Sequence, residues 1–213
     1  MDHTYSQTLT LRRILLVIAT GVGAGFLSGL FGVGGGLVIV PALMAVLGMD
    51  QRRASSTSLA AIIVTAAVGS GTYALHGEVS WAGGALLVVG ALAGSQIGVC
   101  AGILSGLVGV GGGSVIVPGM ELAVGAGDLI ARGTSLLVMI PTGIAGTVTN
   151  LRHRMVDLRV GLIVGASAAA TAPAGRLVAT LVSPSVGAIL FNIFLLSIIA
   201  STILKMHRAR AQG

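Results

Sequence analysis

Long apolar stretches of about 18 to 35 residues alternate along this chain with short polar breaks; about 20 helical residues cross the hydrocarbon core of a bilayer. The pattern therefore predicts an all-α protein, a polytopic transmembrane helical bundle. The first stretch, Ile14 to Gly48, would measure about 50 Å as one helix, far more than a straight crossing needs. It is interrupted by Gly32–Gly36 (GVGGG). Helix avoids consecutive glycines, each costing about 1 kcal/mol relative to alanine, so a broken helix or a partly re-entrant hairpin is expected there. Spans follow over roughly 55–75, 81–98, 133–150, 160–180 and 186–204. Counting each glycine-interrupted stretch as one crossing gives seven spans, and counting each as a hairpin gives nine.

The pattern repeats. Shifted by 77 positions, residues 24–41 (AGFLSGLFGVGGGLVIVP) fall on 101–118 (AGILSGLVGVGGGSVIVP), with 15 of 18 identical. In the same register Ala54, Thr57, Ser58 and Leu59 fall on Ala131, Thr134, Ser135 and Leu136, and His76 falls on His153. This reads as an internal tandem repeat. The chain divides into a polar head (1–13), a first transmembrane repeat (14–98), a second repeat with an extra C-terminal span (99–204) and a basic tail (205–213).

Composition points the same way. Only 8% of residues are charged and mean hydropathy is +1.02, against roughly 25% charged in a soluble domain. The 34 glycines suit membrane helices that cross closely. Gly21, Gly25 and Gly29, and the series Gly90, Gly94, Gly98, Gly102 and Gly106, carry the spacing of such contacts. Cys100 is the only cysteine, which excludes an intrachain disulfide and a cysteine-based zinc cluster. It reads as a small packed residue.

The pI near 11.1 does not indicate nucleic acid, because the positive residues lie between and beside the spans. They read as topology signals. The loop Arg152–Arg159 and the tail place their side in the cytoplasm, whereas an odd number of crossings puts Arg12 and Arg13 on the opposite side. These two signals conflict. Arg176, near the end of an apolar span, is expected to snorkel to the headgroups. His76 and His153 sit in loops and are not metal ligands.

The glycine breaks carry the most specific chemistry. Bare backbone at membrane depth is tolerated where it is buried in protein or lines a wet cavity. Paired glycine-interrupted segments at matching positions in two halves point to a transporter binding site. Their amides favour anions; the alternative is that the glycines only let helices approach. The candidate solute-binding residues are Gly34, Gly35 and Gly36 with Thr57 and Ser58, and Gly111, Gly112 and Gly113 with Thr134 and Ser135. The Thr-Ser pairs also read as hydroxyl caps that open helices. The spacing fails the dinucleotide pattern GxGxxG at Leu37 and Ser114. No catalytic or metal-binding constellation is evident, and no carboxylate within a span offers a proton relay.

With these residues in view, the chain resembles the TauE/SafE-type sulfite exporter family. The resemblance rests on Gly25–Pro41 and Gly102–Pro118, on Ala54–Leu59 and Ala131–Leu136, and on the loops His76–Trp81 and His153–Arg159. It implies a permease of the bacterial cytoplasmic membrane moving sulfite, organosulfonates or related anions, with no bound cofactor. The partners implied are the lipid bilayer and a small anionic solute, with no nucleic acid, and homo-oligomerisation is left open. It also implies that the glycine breaks and Thr-Ser pairs of the two halves face each other across the substrate path. One departure stands out: the first repeat lacks a counterpart of 186–204, so Gly98 runs almost directly into Gly102. A passive anion channel and a non-transporting membrane subunit are the competing readings.

Overall fold

The computed structural model describes residues 11–97 and 113–210, and among these it is entirely helical. Eight helices follow in order: α1 (Leu11–Phe31), α2 (Gly36–Leu47), α3 (Gln51–Ala74), α4 (Trp81–Ile97), α5 (Gly113–Val124), α6 (Asp128–Arg152), α7 (Leu158–Leu181) and α8 (Pro184–Arg210). Four of them, α1, α3, α6 and α7, are long and apolar enough to cross a membrane. The remaining described helices offer only shorter apolar lengths, so the seven-span count goes beyond what these residues show.

The break expected in the first apolar stretch is present. Gly32, Gly34 and Gly35 take φ of 69°, 71° and 77°, the left-handed region in which side chains with a Cβ are strained. They end α1 and turn the chain back into α2, which packs on α1. With 12 residues, α2 is about 18 Å long and cannot cross a bilayer alone. The interrupted stretch is thus a long helix with a short returning one.

Close contacts at glycines set the helix directions. Gly69 lies against Leu136, Gly143 against Ile63 and Gly146 against Leu59, so α3 and α6 are antiparallel. Gly161 meets Thr57 and Gly165 meets Ala61, so α7 runs parallel to α3. Gly21, Gly25 and Gly29 meet Val164, Ala168 and Ala172 in turn, so α1 also runs parallel to α7. The spacing of four read from the sequence in α1 is the contact surface of the largest interface in the bundle. These helices touch backbone to backbone, as small residues allow in lipid. Val17, Ala24, Ile39, Leu43, Ala61 and Val164 form the apolar cluster shared by α1, α2, α3 and α7. Outward, Leu15, Leu86, Leu162, Leu177, Ile189 and Leu196 are exposed, which suits lipid and not water.

A Cβ on Gly25 would fall onto the backbone of Ala168, whereas Gly23 has nothing within 4 Å. Gly25→Ala is therefore expected to lower stability by about 1–3 kcal/mol by forcing α1 from α7. Gly23→Ala should be neutral or slightly stabilising. Thermal unfolding of the purified protein in detergent distinguishes them, and equal melting temperatures would refute this packing.

Candidate functional site

A helix that stops inside a bundle leaves its last carbonyls without intrahelical partners, and at α1 side chains from two other helices supply them. The Tyr73 hydroxyl on α3 donates to Gly29 O at 2.7 Å. From α6, the Arg132 guanidinium donates to Leu30 O and the Ser135 hydroxyl to Gly32 O at 2.8 Å. A cation at a helix C-terminus is also favoured by the helix dipole.

Both buried arginines are neutralised. Arg132, 4% exposed, is held by Asp128 one turn away, with Nε at 2.7 Å and Nη2 at 2.6 Å from its two oxygens. Arg176, 5% exposed, makes a two-pronged pair with Glu78, each N–H donating at 2.9 Å. Its guanidinium lies 5.7 Å from the centre of the Tyr73 ring. The expectation that Arg176 snorkels is thereby corrected. On α7, parallel to α1, it faces Tyr73 and the loop after α3, where Glu78 waits.

The other side of the break presents donors. Among the described residues, the amides of Val33, Gly34 and Gly35 have no hydrogen-bond acceptor. Gly35 caps α2 without a side-chain bond. Ser28, 1% exposed, has an unpartnered hydroxyl, and it borders a shallow cavity with Val33, Gly35, Leu37, Phe191 and Phe194. Glycine is required at this turn by space as well as by φ: a Cβ on Gly32 would strike Arg132, one on Gly34 the Met139 sulfur, and one on Gly35 would come within 3.0 Å of Ala24 O.

The sequence-derived candidates divide in space. Gly34, Gly35 and Gly36 are buried at the break, and Ser135 joins them through Gly32. Gly113 is the first residue of α5, while Gly111 and Gly112 lie outside the described residues. Thr57 and Thr134 are fully buried but do not open their own helices, which is a correction. α3 begins at Gln51 behind Asp50, whose carboxylate accepts from Arg52 N at 2.8 Å, and α6 begins at Asp128. Each threonine instead lies in the second turn and receives the chain entering a neighbouring helix. Asp157 N donates to Thr57 Oγ1 at 3.1 Å, and Ser80 N donates to Thr134 Oγ1 at 2.9 Å.

Those two bonds are reciprocal, since Thr57 and Thr134, and Ser80 and Asp157, are each 77 positions apart. Asp157 in turn caps α7, and Ser80 Oγ accepts from Gly83 N at 3.2 Å. Because α3 and α6 are antiparallel, the threonines sit at opposite ends of the bundle, about 20 Å apart along its axis. They do not face each other across one path. Ser58 donates to Ser55 O at 2.8 Å.

Three residues at the break escaped the sequence reading: Tyr73, Arg132 and Ser28. Ser28 carried a signal, because it recurs as Ser105 within the repeated motif. Arg132 stands where the first copy has Ser55.

The family described as Sulfite exporter TauE/SafE matches twice, over residues 3–99 and 97–213. A probable membrane transporter protein of Xylella fastidiosa (strain Temecula1 / ATCC 700964) is 25% identical over 258 residues, covering 95% of this chain and 98% of its own. That alignment is longer than the chain itself, so a stretch of the relative has no counterpart here. The probable membrane transporter protein YunE of Bacillus subtilis (strain 168) is 34% identical over 116 residues, 51% of this chain; the match spans 42% of its own length. A probable membrane transporter protein of Haemophilus influenzae (strain ATCC 51907 / DSM 11121 / KW20 / Rd) is 40% identical over 75 residues, 32% of this chain and 28% of that one. No solved structure matches.

Removing one partner of a buried ion pair strands the other. Glu78→Leu is thus expected to destabilise the protein by about 3–5 kcal/mol, and the double change Glu78→Leu with Arg176→Leu by clearly less. Additive losses in a double-mutant cycle of melting temperatures would show that the pair does not act as a unit.

Proposed function

Since the chain belongs to the sulfite exporter TauE/SafE family, we propose that it is a permease for small anions, sulfite or organosulfonates, in the bacterial cytoplasmic membrane. The observation that carries this reading is the buried break at Gly32–Gly35, where, among the described residues, three amides lack an acceptor beside the unpartnered Ser28 hydroxyl. Such donors suit an oxyanion, which needs acceptors satisfied without water. Gly34, Gly35, Gly36 and Ser135 form one half of the site. The repeat gives Gly111, Gly112, Gly113 and Ser58 the same task in the second unit, with Thr57 and Thr134 holding the neighbouring helices in place.

The names of the relatives, probable membrane transporters, support transport as the general activity. In this reading the chain is two tandem units of opposite direction, and it alternates access about the α3–α6 pair. A non-transporting membrane subunit is the second reading, favoured by the stretch of the Xylella relative that has no counterpart here.

Flux into liposomes containing the purified protein tests the proposal. An alanine at Gly35 is strained at φ +77° and brings its Cβ within 3.0 Å of Ala24 O, which turns the neighbouring amides. Gly35→Ala is expected to reduce sulfite flux at least tenfold, the equivalent of about 1.5–3 kcal/mol for a hydrogen bond to a charged group, while the protein still inserts. Unchanged flux in Gly35→Ala would remove the break from the site. Wild-type vesicles that never gain permeability to sulfite, thiosulfate or taurine would favour the subunit.

A further inference from the structure

The helix directions gather charge at one end of the bundle. α1, α3 and α7 run parallel and α6 runs against them, so the starts of α1, α3 and α7 share an end with the finish of α6. That end carries Arg12, Arg13, Arg52, Arg53, Arg152, Arg154 and Arg159, against the carboxylates Asp50 and Asp157. Both acids cap helices. Six of the seven arginines are exposed, Arg13 partly so.

The opposite end has the reverse balance. It holds Arg132 and Arg176, both buried and paired, with Glu78, Asp128 and the neighbouring Glu121. Along α1, α3, α5, α6, α7 and their adjoining loops, seven arginines with two acids stand at one end, and two arginines with three acids at the other.

We propose that the end bearing Arg12, Arg52 and Arg152 is the cytoplasmic face of the protein, seated among the anionic phospholipid headgroups of the inner leaflet. Cytoplasmic loops are enriched in Lys and Arg, counted close to the spans, and such residues are attracted to an anionic lipid surface. The conflict between Arg12–Arg13 and the Arg152–Arg159 loop disappears, because α2 returns the chain within the bundle and lets α1 and α3 start on one side. The guanidiniums at the other end have carboxylates for partners and contribute no opposing signal. This orientation does not depend on which solute is carried.

The loops after α3 and after α6 offer a matched test, since His76 and His153 are both exposed and occupy opposite ends. Each is replaced by cysteine in a Cys100→Ser background and treated with a membrane-impermeant maleimide in intact cells and after permeabilisation. His76→Cys is expected to label in intact cells, and His153→Cys to gain at least tenfold on permeabilisation, as one fixed orientation requires. Should either variant fail to accumulate, Leu75→Cys and Gln51→Cys report the same two ends. Reversed labelling overturns the assignment, and equal labelling of both positions in intact cells overturns it by showing two orientations. Replacing Arg152, Arg154 and Arg159 with glutamine should raise labelling of His153→Cys in intact cells; no change would mean these charges do not set the orientation.

Discussion

The structure is organised by one requirement: a helix that ends buried among other helices must still satisfy its carbonyls. Water does this for an exposed helix end, but a buried one has only its neighbours. α1 ends at Phe31 because three left-handed glycines follow, and its carbonyls are met by Tyr73, Arg132 and Ser135 from α3 and α6. Those donors fix how α3 and α6 sit against α1. They also explain the buried charges, since Arg132 at Leu30 O needs Asp128 beside it and Tyr73 lies under the Arg176–Glu78 pair. The polar cluster at this end is thus the structural support of the break, which leaves the amides of Val33, Gly34 and Gly35 without an acceptor among the described residues.

Much of this was legible in the sequence, because lipid simplifies the code. Long apolar stretches gave the helices, GVGGG gave the interruption, and the spacing of Gly21, Gly25 and Gly29 gave the face that packs on α7. The repeat marked the residues that matter without showing their tasks. Thr57 and Thr134 read as openers of their own helices, whereas their hydroxyls receive the chain entering α7 and α4. That task depends on residues about 100 and 54 positions away, and no local propensity encodes it. Arg176 misled for the same reason: at the end of an apolar span it looks like a headgroup contact until the fold brings Glu78 to it. Orientation was obscured by counting crossings without knowing that α2 turns back.

The paired threonines give the molecule an order beyond its helix list. Position by position, 57 with 157 mirrors 134 with 80, and Gly69 against Leu136 mirrors Gly146 against Leu59. The first set ties α7 to α3, the second ties α4 to α6, and the glycine–leucine contacts lie between. Charge does not follow this mirror. The ion pairs of Arg132 and Arg176 lie at one end, where Ser55 and Gln51 of the first copy correspond to Arg132 and Asp128 of the second.

From this follows a mechanical division of the bundle. α1, α3 and α7 are joined by backbone contact and by the Thr57 bond, and α4 and α6 by the Thr134 bond, and the α3–α6 seam packs between them at Gly69, Gly143 and Gly146. At one end that seam is stapled, since Arg132 and Ser135 reach across it from α6 to the tip of α1. Separating α6 from α1 there ruptures those bonds and leaves buried carbonyls without donors, a cost that only a replacement donor relieves.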